Sequence, residues 1–310
     1  MKAERWDLLI IGGGPAGLAA GLYAARSGLK TLIVEAKIPG GLLLEAPRIE
    51  NYPGFLEGIA GQELASRMMR QCQSAGAELR YPEEALELQL GEAKRVRTAE
   101  GLYEGEAIIL AMGTRHRRLG APGEERLRGR GVSYCALCDG PLFKDRRVAV
   151  VGGGNTAVSE ALYLADIASE VILIHRRQSL RAERVLVEAL EKRGVRLILN
   201  AVVEEIVGGE EVEGLRLRVD DRPLELEVEA VFISVGQQPN SELAREAGVE
   251  VDGGGYIIVD ERQRTNIQGV YAAGDITNRP YKQVGTAVAQ GITAALEAYG
   301  YIRRPYYYRE

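Results

Sequence analysis

Cysteine is scarce in this chain, with three residues among 310. That is too few for the disulfide framework that staples small secreted domains. Histidine is scarcer, at two. Zinc takes four ligands, and Cys72, His116 and His175 stand at no ligand-like spacing from one another, so no metal is expected. No stretch approaches 18 consecutive apolar residues free of charge, and no membrane span is expected. Long Lys/Arg runs are missing and the net charge is -5, which gives no electrostatic reason for nucleic acid binding. Only 7 of the 39 basic residues are lysine, an imbalance read here as codon bias before thermostability. Asp7 interrupts the apolar start and Gly12-Gly13-Gly14-Pro15 follows Ile11 at once. A signal peptide is therefore not expected, and the expected location is the cytoplasm.

What is present is ordinary in bulk and specific in detail. Apolar residues make up 46% and charged residues 27%, enough for about two globular domains with real cores. An internal repeat organises the chain. Leu8 to Glu35 reads as an apolar strand, Gly12-x-Gly14-x-x-Gly17, an alanine-rich helix, and a second strand Thr31–Val34. Val148 to His175 repeats this 140 residues later as Val148–Val151, Gly152-x-Gly154-x-x-Ala157, helix, and Val171–Ile174. In such a loop the first glycine makes the tight turn, the second lets backbone approach a pyrophosphate, and the third small residue lets helix pack on strand. The free N–H groups of the helix start then face the phosphates. Ala107–Thr114 and Ala230–Gln237 read as equivalent closing strands, and Val270–Asp275 as a further strand, expected to rejoin the first module. Leu119–Gly123 has the composition of a hinge, and Asn240–Gly248 of a return crossing.

The residues at the two strand ends differ. Glu35, about 20 residues past its glycines, suits ribose hydroxyls and repels a 2′-phosphate, as for FAD or NAD(H). The second module carries His175-Arg176-Arg177 there, with Arg181 at the start of a predicted helix over residues 179–193. Guanidiniums around a ribose edge favour a phosphate dianion, hence NADPH. The plainer alternative is a solvated charge run, with His175 packing on the adenine. Between the modules lies Cys135-Ala136-Leu137-Cys138-Asp139-Gly140. Two cysteines at this spacing can close a small reducible ring, and Asp139 adjoins them as a proton donor or a turn residue. The order of motifs suggests electron flow from a nicotinamide, through a flavin, to a disulfide.

These motifs resemble those of the low-molecular-weight bacterial thioredoxin reductases over nearly the whole chain. The resemblance rests on Gly12–Gly17, Glu50-Asn51-Tyr52-Pro53-Gly54, Cys135–Gly140 and Gly152–Ala157. It continues through His175-Arg176-Arg177 with Arg181-Ala182, Gly236 with Pro239-Asn240, and Ala272-Ala273-Gly274-Asp275-Ile276. It implies an α/β fold of two Rossmann-like, doubly wound, three-layer nucleotide-binding domains. Residues 1–115 and 245–310 would form the FAD domain, and residues 116–244 an inserted NADPH domain carrying the CxxC. The resemblance implies FAD and NADPH as cofactors, thioredoxin as the partner and a homodimer. In the FAD domain the expected binding residues are Gly12, Gly14, Pro15, Ala16, Gly17, Glu35, Gly40, Gly41, Asn51, Gly113, Gly274, Asp275 and Gln283. In the NADPH domain they are Gly152, Gly154, Asn155, Thr156, Ala157, His175, Arg176, Arg177, Arg181 and Gly236. The catalytic set is Cys135 as interchange nucleophile, Cys138 as the thiol facing the flavin, and Asp139 as acid and base.

Leu42–Pro47 departs from the family, which has a glutamine and a threonine-rich run there; polar contacts near the cofactor are lost with it. Leu137 replaces a frequent threonine. With nicotinamide and disulfide both assigned to the inserted domain, that domain is expected to rotate on Leu119–Gly123 and the return strand. Arg126, Arg128 and Arg130 are either a docking site for an acidic thioredoxin surface or a solvated loop. Tyr306–Tyr308 belong to a tail that covers the flavin or a dimer edge, or frays with some packing. Cys72 is expected as a buried small hydrophobe on a helix. Competing readings are a ferredoxin- or flavodoxin-NADP reductase, against which the CxxC argues, a glutaredoxin-like or peroxiredoxin partner, and a non-catalytic sensor of NADPH.

Overall fold

In the computed structural model, which describes residues 3–46 and 49–304, the contacts divide the chain into two compact units. One comprises Met1–Arg115 and Gln238–Glu310, the other His116–Gln237. The first unit opens with β1 (Glu4–Ile11), α1 (Pro15–Arg26), β2 (Thr31–Val34), α2 (Gly61–Ser74) and β3 (Glu78–Arg80). β4 (Glu87–Leu90), β5 (Lys94–Arg97) and β6 (Leu102–Leu110) follow. β1, β2, β3 and β6 pair in parallel in the order β3-β2-β1-β6. Because both faces are covered, the central strands read as unbroken apolar runs at Leu8–Ile11, Leu32–Val34 and Ala107–Leu110. Leu8, Ile10, Ile33 and Ile109 face one buried layer, and Leu9, Ile11, Leu32, Ile108 and Leu110 the other. The first half of β6 pairs antiparallel with β5 of a β4–β5 hairpin.

β7 (Thr114–His116) carries the chain into the second unit. Its elements are β8 (Val132–Ser133), α3 (Ala136–Asp139), β9 (Arg147–Gly152), α4 (Asn155–Leu164), β10 (Glu170–Ile174), α5 (Arg184–Lys192) and β11 (Arg196–Ile198). After them come β12 (Ala201–Val207), β13 (Gly214–Val219), β14 (Arg222–Glu227), β15 (Ala230–Ser234) and β16 (Gln237–Pro239), which leads back and pairs with β7. The parallel sheet runs β11-β10-β9-β15-β8, and β12-β13-β14 form a separate antiparallel sheet. Alternate residues again feed two layers: Val148, Val150, Leu173 and Phe232 pack under α4, whereas Ala149, Val151, Ile172 and Val231 meet Ile206, Leu215 and Leu217 of the antiparallel sheet.

The third segment rejoins the first unit through α6 (Glu242–Glu246), β17 (Val270–Ala272) and α7 (Val284–Arg303). β17 pairs in parallel with the second half of β6. α7 crosses α1 so closely that a Cβ on Gly291 would lie 2.1 Å from the Ala16 carbonyl oxygen. The fold is therefore α/β with two Rossmann-like units, the second inserted in the first.

Details of the expected organisation shift. The return occurs at Gln237/Gln238, because Ala244 of α6 is already buried among Leu9, Leu88 and Ile257 of the first unit. Leu119–Gly123 is not a hinge between the units. The Glu124 carboxylate accepts the Leu119 and Gly120 amides at 2.9 and 2.7 Å, and the Ile206 amide donates to the Pro122 carbonyl at 2.9 Å. The glycine at 123, with φ at 90°, serves that close approach: a Cβ there would sit 2.0 Å from the Ile206 oxygen. The predicted helix over residues 179–193 begins only at Arg184. The segment before it is held instead against the second glycine loop, as described below. Among the described residues no helix is long and apolar enough to cross a membrane.

Candidate active site

The first loop is built on close backbone approach. Gly12 has φ at 104°, and a Cβ there would lie 2.4 Å from the Ala111 carbonyl oxygen; one on Gly17 would lie 1.9 Å from the Gly12 oxygen. Gly14 is different, because a Cβ there would meet nothing within 4 Å. It caps α1 without any side-chain hydrogen bond, and Pro15 follows at the first helical position. Open space at an uncapped helix start is what a pyrophosphate requires. Glu35 accepts the Gly13 amide at 2.7 Å and the Lys37 amide at 2.8 Å. Gly40 donates its amide to the Gly13 carbonyl at 2.8 Å, and Gly41 lies against Gly14.

The same unit brings in residues from its distant third segment. Gly274, with φ at 83°, abuts Ala16 and donates its amide to Gln290 at 2.8 Å. Burial pushes the Asp275 carboxyl up to about 6, against the pull of Lys282 nearby. Gln283 caps α7 reciprocally with Thr286 and accepts from Asn51 at 3.2 Å. Gly113 accepts the Asn240 amide at 3.0 Å. Leu42–Glu45 lie in a 3-10 turn over residues 41–45, with Leu43 buried among Ile49, Ile59 and Leu64; Pro47 lies outside the described residues. The leucines are thus partly core.

The second loop repeats the cradle with other chemistry at its edge. A Cβ on Gly152 would lie 2.4 Å from the Ser234 oxygen and 2.5 Å from the Ala157 Cβ, whereas one on Gly154 would again meet nothing within 4 Å. α4 starts at Asn155 without a side-chain cap. His175 is buried, its ring filling the space beside Gly153, where a Cβ would come within 2.2 Å of Nδ1. Its Nε2 stays buried without a partner. Burial first, then Arg181, Arg177 and Arg176, hold its pKa below the ordinary value. His175 therefore braces the loop as neutral imidazole. Arg176, Arg177 and Arg181 are exposed, and the Arg181 amide donates to the Gly153 carbonyl at 2.7 Å. Asn155 and Glu183 exchange two hydrogen bonds of 2.9 Å. These contacts hold residues 181–183 out of the helix and along the loop. Thr156 is exposed at the helix start, and Gly236, with φ at 106°, accepts the Arg117 amide at 3.0 Å.

Cys135 and Cys138 form a disulfide with Cα atoms 5.3 Å apart. Cys135 caps α3, and the Cys138 amide donates to Cys135 Sγ at 3.2 Å. Asp139 accepts the Ser133 hydroxyl at 2.6 Å, and Ser133 in turn accepts the Cys135 amide at 3.1 Å. Burial raises the Asp139 pKa, only partly offset by Ser133. A carboxyl whose protonated form is favoured by burial, next in sequence to Cys138, is suited to give a proton to a leaving thiolate. Leu137, between the cysteines, is half exposed.

Sequence reasoning missed three side chains here: Ser133, Glu124 and Glu160. Glu160 lies on the same face of α4 as Ala157, Ala161 and Leu164, so helical spacing marks it as a carboxylate on a buried face. Burial pushes it up to about 6, with Ser234 and Ala136 opposing. Arg126 and Arg128 are engaged within their own unit. Arg126 donates to the Gly209 and Gly208 carbonyls at 2.7 and 2.9 Å, and Arg128 lies over the Tyr134 ring. Cys72 is fully buried on α2 with its thiol pushed up to about 12, as expected of an inert small hydrophobe. Tyr306–Tyr308 lie outside the described residues.

The likeness to known proteins runs the length of this architecture. The chain is 43% identical over 305 residues to the thioredoxin reductase of Listeria monocytogenes, covering 97% of this chain and 95% of that protein. It is 43% identical over 297 residues to that of Mycolicibacterium smegmatis, covering 94% and 95%. The crystal structure of thioredoxin reductase from Streptococcus pyogenes matches with a TM-score of 0.92 at 38% identity, covering 98% of this chain and 100% of that one. The model of the pyridine nucleotide-disulphide oxidoreductases matches residues 6–291. A match over so much of the chain decides the matter, and the chain belongs to the pyridine nucleotide-disulphide oxidoreductase family.

Proposed function

We propose that the protein is an NADPH-dependent flavoprotein disulfide reductase that reduces thioredoxin. The observation that carries this reading is the Cys135–Cys138 disulfide on a turn packed against α4, the helix that starts at the second glycine loop. The open positions at Gly14 and Gly154 fit two pyrophosphates. FAD would lie along Gly12–Gly17, Glu35, Gly40, Gly41, Asn51 and Asp275. NADPH would lie along Gly152–Ala157, with Arg176, Arg177 and Arg181 on its 2′-phosphate. FAD, when bound, supplies the two-electron relay between nicotinamide and disulfide.

The chain's own residues carry the exchange. Two electrons and two protons convert the Cys135–Cys138 disulfide to two thiols. The Cys138 amide favours thiolate at Cys135, which attacks a sulfur of the partner's disulfide. One partner sulfur joins Cys135 and the other leaves, taking its proton from Asp139. The Cys138 sulfur, its proton returned to Asp139, then attacks the Cys135 sulfur and regenerates the internal disulfide. The partner's second sulfur leaves as a thiolate and takes from water the proton that Cys135 had released there. The relay requires the second unit to turn about the crossings at β7 and β16, and a cross-link that locks the units should abolish turnover. The cytoplasm and a homodimer complete the reading.

The test is NADPH oxidation by the FAD-loaded protein with thioredoxin as acceptor, beside NADH and the Cys135→Ser, Cys138→Ser double variant. Rapid turnover that prefers NADPH and is lost in the double variant is expected. Flavin reduction by NADPH without thioredoxin turnover would move the partner to another disulfide protein. No flavin reduction by NADPH would overturn the assignment of the second loop.

A further inference from the structure

Tyr134 directly precedes Cys135, and three side chains from earlier in the second unit hold it. Its hydroxyl donates to Glu124 Oε1 at 2.6 Å. Its ring stacks on His116, with centroids 4.6 Å apart and planes 24° from parallel. The Arg128 guanidinium lies 5.4 Å from the ring centroid. All four residues belong to the second unit.

Glu124 is the anchor of this set. It is 4% exposed, and its carboxylate also accepts the Leu119 and Gly120 amides at 2.9 and 2.7 Å. Three donors thus satisfy both oxygens, without which a buried carboxylate would be costly. Burial, then Glu124, pushes the Tyr134 phenol well above its ordinary range, so it stays protonated and donates. Burial holds His116 below its ordinary value, so the ring stacked on the phenol is a neutral imidazole at neutral pH.

The bonds already described around the cysteines are local. The Cys135 amide donates to the Ser133 hydroxyl, and that hydroxyl donates to Asp139. They close the turn on itself, whereas Tyr134 fastens it to the rest of the unit. Its partners are the immobile Glu124 turn and His116, the residue at which the second unit begins.

We propose that Tyr134 is a positioning residue of the disulfide centre: its hydroxyl on Glu124 and its ring on His116 hold the Cys135 backbone where its sulfur closes on Cys138. This rests on the disulfide-reductase reading but not on which partner is reduced.

Two readouts on the full-length, FAD-loaded protein test this, and neither uses NADPH or thioredoxin. One is the thiol–disulfide equilibrium of Cys135 and Cys138 in dithiothreitol buffers, read by trapping and mass spectrometry. The other is the alkylation rate of Cys135 after reduction, followed across pH. Tyr134→Phe keeps the ring and leaves Glu124 Oε1 its Leu119 amide, so no oxygen is orphaned and the variant should fold. The equilibrium should move toward the dithiol by about tenfold, the size of one lost hydrogen bond. The Cys138 amide, which donates to Cys135 Sγ, is then less well placed to favour thiolate. Alkylation at neutral pH should slow by about threefold, with its pH profile moving up. His116→Ala removes the stack and should move both readouts the same way by a smaller factor. In a Glu124→Ala background, Tyr134→Phe should add less than about twofold, because the two side chains act as one contact. Should Glu124→Ala not fold, Tyr134→Phe and His116→Ala alone decide. A lower melting temperature in Tyr134→Phe with both readouts at wild-type values would overturn the proposal. So would effects of Glu124→Ala and Tyr134→Phe that multiply in full. Both readouts altered in Tyr134→Phe, with a wild type that fails to reduce thioredoxin, would support the role and sink only the partner assignment.

Discussion

The two glycine loops share a cradle and differ at its edge. In both, the first glycine exists because a carbonyl lies where its Cβ would be, and the second because open space is wanted there. At the strand end the first unit places Glu35, whose carboxylate is anchored by the Gly13 amide. The second places His175, whose ring is tucked beside Gly153 and out of solvent, and then exposes Arg176, Arg177 and Arg181. The comparison separates two jobs. On the proposed assignment, backbone geometry would make a generic phosphate site, and a few side chains after the second strand would choose the sign of charge at the ribose.

Breaking the cradles should have the largest effect and should divide the two cofactors. Gly152→Val drives a side chain into the Ser234 carbonyl, and flavin reduction by NADPH should fall by about 10²-fold or more while FAD stays bound. Gly12→Val should instead yield protein without flavin; stopped-flow absorbance and bound-flavin content read the two. A sharper cut leaves the cradle intact. Arg176→Ala with Arg177→Ala should raise the KM for NADPH by about 10- to 100-fold and leave that for NADH within about threefold. Equal losses for both nucleotides would mean that the arginines only solvate the loop.

Smaller effects concern charges and thiols around the cradles. The folded state raises Glu160 from 4.5 to about 6, so it favours the protonated form. The associated stability is present below about pH 4.5 and lost as pH rises through about 6, some ~2 kcal/mol in all. Glu160→Gln should therefore gain on wild type by that amount across this window in denaturant titrations at stepped pH. Smallest of all, Cys72→Ala should cost about 1 kcal/mol of stability and leave the electron capacity of the protein unchanged, since its thiol is buried and raised to about 12.

What the sequence revealed and concealed follows from the range of the contacts. The glycine loops, Glu35, the arginines and the cysteine pair are set by short spacings, so their geometry is legible residue by residue. Glu160 is pushed up by burial and pulled down by Ser234 and Ala136, and no spacing links those positions. Gly120, Pro122 and Gly123 look like a hinge by composition, yet Glu124 and Ile206 immobilise them; the turn chemistry was visible and its anchoring was not. Arg181 was expected in a helix because its neighbours favour one, but its amide is taken by Gly153. The antiparallel β12–β14 sheet went unread, since it buries Ile206, Leu215 and Leu217 without contributing to either loop.

The central claim is that electrons entering at the second loop end on Cys135 and Cys138. Anaerobic titration of the flavin absorbance with NADPH tests it most directly. Wild type should consume about two equivalents of NADPH per FAD before full reduction, one for the flavin and one for the disulfide. The Cys135→Ser, Cys138→Ser variant should consume about one. The same stoichiometry in both proteins would contradict the account, because the disulfide would then lie off the electron path.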